Sequence, residues 1–245
     1  MLCPVCQTLN RAQAYYCRNC GNALMLVHRK LLDLCFVMDA TGSMGHYIKA
    51  TRSALQGFAQ RIYHLALKPN VAYSLVLYRD HPPHSQATFD QQHIECYPFS
   101  ESIDDLQQAL EQARAHGGGG DGPEAVADGL YHACNNPHMH WRSDARKIIV
   151  LVGDSAPHGF GRPGDNYPEG CPCEKTRGTI RSTVHEARQR GITVLCLGIG
   201  DDPFMRKSFA LIAEMGGGQY TSIANEITLI ESVQAILVAG LEDTV

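Results

Sequence analysis

Residues 37–43 read Val-Met-Asp-Ala-Thr-Gly-Ser, the end of an apolar strand followed by a polar loop, and they are the most informative feature of the chain. Asp39, Thr41 and Ser43 lie at alternate positions in it. One carboxylate and two hydroxyls at the carboxyl end of a strand are hard oxygen ligands, suited to a Mg²⁺ ion that keeps some of its waters. The stretch therefore predicts a metal-binding loop.

After residue 30 the chain alternates between strand and helix patterns. Strands are predicted at 31–38, 71–77, 93–99, 147–152, 192–197 and 219–223. Helices are predicted at 48–65, 103–115, from Pro123 onward, and at 175–190, 203–215 and 227–241. The third strand follows a loop too short for a crossover, so we expect it to be antiparallel at the sheet edge.

This order of elements predicts an α/β fold of the doubly wound, Rossmann-like kind. We expect a mostly parallel six-stranded sheet with one antiparallel edge strand and helices on both faces. A small N-terminal zinc ribbon would precede it, with the ribbon at 1–26 and the α/β domain at 31–245.

Four cysteines near the N-terminus have the spacing of zinc ligands: Cys3-x2-Cys6 and, ten residues later, Cys17-x2-Cys20. In a secreted chain the ten cysteines would suggest disulfides, but in a reducing compartment metal ligands and small buried side chains are the better interpretation. Two such knuckles turn four thiolates toward one Zn²⁺ ion. We therefore predict a structural, non-catalytic zinc site.

The composition, 44% apolar and 19% charged, is typical of a soluble globular protein. No stretch approaches the roughly 18 apolar residues of a membrane span, so contact with a membrane is not expected. The first residues show neither the basic start nor the apolar run of a secretory signal. We therefore expect a cytoplasmic protein.

The N-terminal segment is basic, because residues 1–32 contain Arg11, Arg18, Arg29 and Lys30 but no acidic residue. Small basic zinc modules often bind nucleic acid. One alternative function is therefore a zinc-ribbon nucleic-acid-binding protein that uses the larger domain for assembly. The total charge of −4 and the lack of a face combining basic and aromatic residues argue against it.

Two more aspartates are expected at the edge of the sheet where the Asp39 loop lies. Asp154 follows the strand at 147–152, and Asp121 lies in a glycine-rich loop before a helix. Ligands of such sheets bind outside the carboxyl ends of the strands, because loops from neighbouring strands converge there. The predicted oxygen set, drawn from three loops, is Asp39, Thr41, Ser43, Asp121 and Asp154.

Three motifs together resemble the metal-ion-dependent adhesion site of von Willebrand factor type A (VWA) domains: Asp39-Ala-Thr-Gly-Ser43, Gly-Gly-Asp121-Gly-Pro-Glu and Val152-Gly-Asp154. The resemblance implies that Mg²⁺, or Mn²⁺, is held directly or through water by Asp39, Thr41, Ser43, Asp121 and Asp154. Two other stretches resemble an intracellular, microbial-type branch of the family: Tyr78-Arg-Asp-His-Pro-Pro and Gly170-Cys-Pro-Cys.

Asp121 stands where many members of that family have threonine. Three carboxylates around a dication leave a net charge of about −1, so the metal would be less electrophilic toward a partner's carboxylate. We expect tighter metal binding and weaker dependence on an acidic residue of the partner. Two alternatives stay open: Asp121 caps a helix with Glu124 in its first turn, or Ser43 caps the helix after Met44.

A second zinc site is predicted in the loop after the fourth strand, from Cys171, Cys173 and His158 together with His81. His84 follows the second strand as well. A metal ion would explain how so long a loop stays ordered. The alternatives are a redox-active dithiol, or cysteines with no special role.

These features favour a non-catalytic, intracellular interaction or scaffold module. One or more proteins would dock at the magnesium face, and the ribbon would offer a second contact surface. The run Gly117–Gly120 lacks the Lys-Ser/Thr pair of a phosphate-binding P-loop, and no serine or cysteine nucleophile has an identifiable base. An enzyme is therefore not expected, and a Mg²⁺-dependent phosphohydrolase is the remaining alternative.

Overall fold

The computed structural model describes residues 2–11, 16–22, 31–63, 70–81, 93–118, 120–172 and 179–242. The chain divides into two units, Met1–Lys30 and Leu31–Val245. A six-stranded sheet is the frame of the larger unit.

The strands are β1 (Leu31–Asp39), β2 (Asn70–Tyr78), β3 (Ile94–Ser100), β4 (Arg146–Gly153), β5 (Ile192–Ile199) and β6 (Gly217–Ile223). Their order is β3-β2-β1-β4-β5-β6. Only β3 runs antiparallel to its neighbour, at one edge, which confirms the predicted mixed sheet. The chain direction across the sheet reverses between β1 and β4, and a crevice for ligands opens at the carboxyl ends of such a pair.

The described residues form six α-helices: α1 (Gly45–Tyr63), α2 (Ile103–Gln112), α3 (Val126–Asn135), α4 (Ile180–Gln189), α5 (Pro203–Met215) and α6 (Glu226–Glu242). None of them is both long and apolar enough to span a bilayer. Helices α1, α2 and α6 cover one face of the sheet and α3, α4 and α5 the other. Side chains of β1 alternate between the two cores, with Phe36 in one and Val37 in the other, as expected for a strand covered on both faces.

Helix α2 ends at Gln112, before the predicted end at residue 115. Ala113 already has an extended ψ of 130°, and the carbonyl of Arg114 accepts a hydrogen bond from the Arg79 guanidinium at 2.9 Å. A side chain from the end of β2 therefore draws this segment out of the helix and toward the carboxyl edge of the sheet.

Helix α3 begins three residues later than the proline-led start that the sequence suggests, with Ala125 as its N-cap residue. Glu124 lies before the helix and donates its backbone N–H to the carbonyl of Ala156 at 2.9 Å. A contact with the loop after β4 has displaced the helix start. Asp121 does not cap α3, so that alternative is wrong.

One charged residue interrupts the apolar run of β1. Asp33 is fully buried, and its carboxylate accepts two hydrogen bonds from Arg142, at 2.6 Å from Nε and 2.7 Å from the backbone N–H. The same guanidinium donates to the carbonyl of Leu32 at 3.0 Å. This ion pair joins the start of β1 to the segment before β4.

The N-terminal unit contains two turns of matching geometry. Gln7 donates its backbone N–H to the carbonyl of Cys3, and Gly21 donates to that of Cys17, both at 2.9 Å. In each turn the residue that donates the hydrogen bond has a left-handed backbone conformation, with φ of 57° at Gln7 and 71° at Gly21. Each Cys-x2-Cys pair therefore forms the same knuckle.

Candidate metal centres

The loop after β1 holds its polar side chains close together. Asp39 is fully buried, and its Oδ1 accepts hydrogen bonds from the backbone N–H and from the hydroxyl of Thr41, both at 2.7 Å. The hydroxyl oxygen of Ser43 lies 3.5 Å from that of Thr41. The structure therefore brings these three predicted ligands together.

The second loop is anchored so that Glu124 lies next to this group. Its backbone N–H bonds to Ala156, and the next N–H, that of Ala125, bonds to the carbonyl of Arg79 at 3.0 Å. Glu124 is 6% exposed, so its carboxylate is enclosed by the same loops. The charged groups close enough to act on this carboxylate include Asp39 and Asp154.

The electrostatics of the three carboxylates show strong crowding. Burial, together with the charge of Asp154, raises the pKa of Asp39 to about 7. Burial also raises the pKa of Glu124 to about 10, with Asp39 the largest contribution among its charged neighbours. Carboxylates that share an enclosed space disfavour the ionised form of a neighbour, and this effect adds to burial at Asp39 and at Glu124.

One oxygen of each carboxylate is buried and has no hydrogen-bond partner among the described residues: Asp39 Oδ2, Glu124 Oε2 and Asp154 Oδ1. Buried polar atoms without partners are rare in folded proteins and often mark the place of an ion or water. A divalent cation would both bind these oxygens and offset their charge. Carboxylates with two hydroxyls are a suitable donor set for Mg²⁺ or Mn²⁺.

Asp121 faces a different set of neighbours. Its Oδ2 accepts the backbone N–H of Asn166 at 2.7 Å, and burial raises its pKa. Its carboxylate also belongs to a group with ligand atoms within 4.8 Å of one another, formed by Asp121, His158 and Asp165. The assignment of Asp121 as a direct ligand of the cation stays a prediction.

Glu124 is the residue that sequence reasoning missed. Glu124 stands in the same motif as Asp121, and the sequence predicts that it lies in the first turn of a helix. An acidic residue is favourable there because of the helix dipole, so nothing in the sequence marked Glu124 as a candidate ligand. The missing signal was the position of the helix start, which depends on the bond between Glu124 and Ala156.

His158 is buried between two carboxylates. Its Nε2 lies 2.6 Å from Asp80 Oδ1, and its Nδ1 lies 2.7 Å from Asp165 Oδ1. Burial lowers its pKa, but the hydrogen bonds to Asp80 and Asp165 outweigh burial, so the pKa lies above the ordinary value. Because a carboxylate faces each of its two nitrogens, this ring connects the loop after β4 to the end of β2.

Two residues of the predicted second zinc site, His81 and His158, take part in different groups of ligand atoms. Both nitrogens of His158 face carboxylates, and its ring centroid lies 6.5 Å from that of His81. Cys171 is buried. Cys173 and His84 lie outside the described residues, so the four-residue set stays a prediction.

His81 instead shares a carboxylate oxygen with a second histidine. Its Nε2 lies 3.0 Å from Asp128 Oδ2, and the Nε2 of His93 lies 2.9 Å from the same atom. The two rings are 4.5 Å apart between centroids. Neither His93 nor Asp128 stands in a recognisable ligand motif, so sequence reasoning had no means of finding this group.

In the N-terminal unit the four cysteines come together as predicted. One ligand atom from each of Cys3, Cys6, Cys17 and Cys20 lies within 4.8 Å of the others. The Sγ atoms of Cys6 and Cys17 are 3.4 Å apart, and hydrogen bonds to Thr8 lower the pKa of the Cys6 thiol to about 5. A thiol that ionises easily is a ready ligand, and four cysteine sulfurs fit a closed tetrahedral Zn²⁺ site.

Comparison with known proteins gives a family match and two partial relatives. The model of the von Willebrand factor type A domain matches residues 33–235. Alpha-protein kinase vwkA of Dictyostelium discoideum is 30% identical over 147 residues, which cover 58% of this chain and 21% of the relative. Putative ariadne-like RING finger protein R811 of Acanthamoeba polyphaga mimivirus is 29% identical over 143 residues, or 57% of this chain and 12% of the relative.

The chain thus spans about a fifth or less of the length of these relatives. Among solved structures, the open conformation of the pilus adhesin SpaC from Lactobacillus rhamnosus GG has a TM-score of 0.61 and 16% identity. That likeness covers 87% of this chain and 30% of the adhesin. It shows the shared fold.

Proposed function

The chain belongs to the von Willebrand factor type A domain family, and from that premise we propose that it docks partner proteins through a divalent cation at the carboxyl edge of its sheet. VWA domains are typically adhesion and protein-interaction modules. The matched segment is a small part of both curated relatives, which supports its use as an interaction module within larger assemblies.

The observation that carries the proposal is the enclosed set of three carboxylates, each with one buried oxygen that lacks a partner among the described residues. The residues that would hold Mg²⁺ or Mn²⁺ are Asp39, Thr41, Ser43, Glu124 and Asp154, with Asp121 nearby. The bound cation would offer a coordination position to an oxygen atom of the partner or of a bridging water.

The charge of this set bears on the choice of partner. Three carboxylates around a dication leave a net charge of about −1, so a fourth carboxylate gains little from binding to the metal. We propose that the partner makes most of its contacts with the surrounding loops, and that it does not need an acidic residue at the metal.

We further propose that the module is non-catalytic and acts in the cytoplasm, as an intracellular VWA branch would. No disulfide joins two of the described cysteines, which suits a reducing compartment. The zinc ribbon would add a second contact surface, since its large apolar side chains are more than half exposed: Leu2, Val5, Leu9 and Tyr16.

The test compares wild type with Asp39→Asn, which removes one charge at nearly constant shape. We expect Mn²⁺ binding, followed by electron paramagnetic resonance, to weaken by more than about 100-fold, because Asp39 would be a direct ligand. Asp201→Asn is the matched control, because Asp201 follows β5 at the same edge and its side chain is 92% exposed.

The same two variants are then used to recover partners from the native cell in Mg²⁺ buffer. Partners retained by wild type and Asp201→Asn but lost by Asp39→Asn would support cation-dependent docking. If Mn²⁺ binding falls and the partners stay unchanged, the cation is structural and the docking proposal fails.

A further inference from the structure

We propose that His81, His93 and Asp128 form a transition-metal site that binds Zn²⁺. This site is separate from the proposed magnesium site around Asp39 and from the four-cysteine group. This goes beyond the proposed docking function, and its outcome does not depend on it.

The first argument is convergence on one atom. The Nε2 atoms of the two histidines lie 3.0 and 2.9 Å from the same Oδ2 of Asp128, and the three ligand atoms are within 4.8 Å of one another. In a tetrahedral zinc site, bonds of about 2.0–2.1 Å place ligand atoms roughly 3.3 Å apart. An outward movement of a few tenths of an ångström would therefore admit the ion.

Burial is the second argument. The side chains of His81 and Asp128 are 0% and 2% exposed, while that of His93 is 12% exposed. Burying a carboxylate is costly unless groups of opposite or donating character face it, and the two imidazoles face this one. The partial exposure of His93 leaves a route by which an ion can enter from solvent.

The donor set selects the kind of metal. Two imidazole nitrogens favour Zn²⁺ and related first-row ions, whereas Mg²⁺ prefers oxygen alone. Three protein ligands leave a fourth position for water or for a further side chain. The site thus differs in chemistry from the oxygen set around Asp39.

The position of the group in the fold indicates what the metal would do. His81 lies just past the end of β2, His93 lies just before β3, and Asp128 is in the first turn of α3. One ion would therefore tie both ends of the β2–β3 connection to the helix that follows Glu124. We infer that the ion would have a structural role behind the carboxyl edge of the sheet.

The sequence-derived alternative for a second zinc used His81 together with His158, Cys171 and Cys173. The structure favours the new set, because both nitrogens of His158 already face Asp80 and Asp165 at 2.6 and 2.7 Å. Separate substitutions can distinguish these two zinc sites in one experiment.

The test measures the number of zinc ions per chain in the 245-residue protein, after loading with ZnCl₂ in Mg²⁺ buffer and removal of excess metal by gel filtration. We expect about two zinc ions in wild type, one in the ribbon and one at the histidine pair, and about one in His93→Gln and in Asp128→Asn. Two controls should keep both ions: Cys171→Ala, and His140→Gln at an exposed histidine.

One zinc ion in wild type overturns the proposal, as does loss of the second ion from Cys171→Ala. Two ions retained by both His93→Gln and Asp128→Asn also overturn it. Cobalt substitution of the wild-type protein gives a second readout, which does not depend on whether a variant folds. The second equivalent of Co²⁺ should add ligand-field bands without more thiolate charge-transfer absorption, and a further rise in charge transfer would contradict the site.

Discussion

Glu124 donates its backbone N–H to the carbonyl of Ala156 at 2.9 Å, and this bond fastens the second loop to the loop that follows Asp154. It delays the start of α3 and holds the Glu124 carboxylate among those of Asp39 and Asp154. One oxygen of Asp121, three residues earlier, accepts the backbone N–H of Asn166, and its other oxygen is buried without a hydrogen-bond partner among the described residues. In the proposed cation site, this backbone contact therefore brings the Glu124 carboxylate close to those of Asp39 and Asp154.

The first prediction separates the two acidic residues of this loop. Glu124→Gln should weaken Mn²⁺ binding by more than about 100-fold, because it removes a direct ligand. Asp121→Asn should weaken it by roughly 10-fold, as expected for a residue that supports a ligand from behind. Titration calorimetry checks both values, and a greater loss in Asp121→Asn would restore the original assignment of Asp121.

The second prediction concerns pH. The pKa of Asp39 is raised to about 7 and that of Glu124 to about 10, so between about pH 5 and pH 8 the folded protein holds protons that the unfolded chain has released. Stability conferred by these protons is present at low pH and lost as pH rises. Without Mg²⁺, the free energy of unfolding should therefore fall across this range.

Mg²⁺ should oppose this fall, because the ion binds the ionised carboxylates and offsets their repulsion. Its stabilising effect should grow with pH, and urea denaturation with and without Mg²⁺ measures the difference. Titration of His158 is common to both buffers and largely cancels. An Mg²⁺ effect that is constant with pH would show that these carboxylates do not bind the ion.

The third prediction concerns the ion pair at the other end of β1. Arg142→Ala would leave the Asp33 carboxylate buried without its guanidinium, which should lower the free energy of unfolding by about 3–5 kcal/mol. Arg52→Ala is the control, because the Arg52–Glu111 pair is exposed and should contribute about 0–1 kcal/mol. Equal effects of the two substitutions in denaturation would refute this ranking.

The fourth prediction concerns Gly129 in α3. A Cβ there would come within 2.9 Å of Tyr78 Cδ1 and 3.0 Å of Val37 Cγ1. Alanine gains about 1 kcal/mol in helix propensity but overpacking costs about 1–3 kcal/mol, so Gly129→Ala should be neutral to destabilising.

Gly57→Ala in α1 provides the comparison for this substitution. Among the described residues, the atoms within 4 Å of its Cβ belong to the movable amide end of Gln234, so we expect the gain in helix propensity to appear. Thermal unfolding of both variants tests the contrast, and a more stable Gly129→Ala than Gly57→Ala would show that α3 moves away from the sheet at little cost.

The fifth prediction is that Cys17→Ser unfolds the N-terminal unit alone. Zinc binding supplies most of the folding free energy of so short a segment, whereas the larger unit has its own two-sided core. Amide NMR signals of residues 2–22 should collapse while those of the larger unit persist. Cys96→Ser, outside the four-cysteine group, should leave both sets of signals unchanged.

Much of the fold could be predicted from the sequence, because strand and helix periodicity is a local property. The apolar run of β1, the amphipathic pattern of α5 and the short connection before β3 indicated a mixed sheet with an antiparallel edge, which the structure confirms. Local patterns were less successful at helix ends. The end of α2 depends on a contact of Arg79 with the segment after the helix, and the start of α3 depends on the contact of Glu124 with the loop after β4.

Local sequence patterns were enough to predict the α/β sheet, the family, the Asp39 loop and the four-cysteine knuckles, because each is encoded by residues a few positions apart. The packing of the folded chain was needed to see that Glu124 lies near Asp39 and Asp154, and that His81 and His93 meet at Asp128. His93 and Asp128 are 35 residues apart, and they come together because β3 and α3 converge beside the end of β2. A contact of that range depends on how strands and helices assemble, which no short-range pattern records.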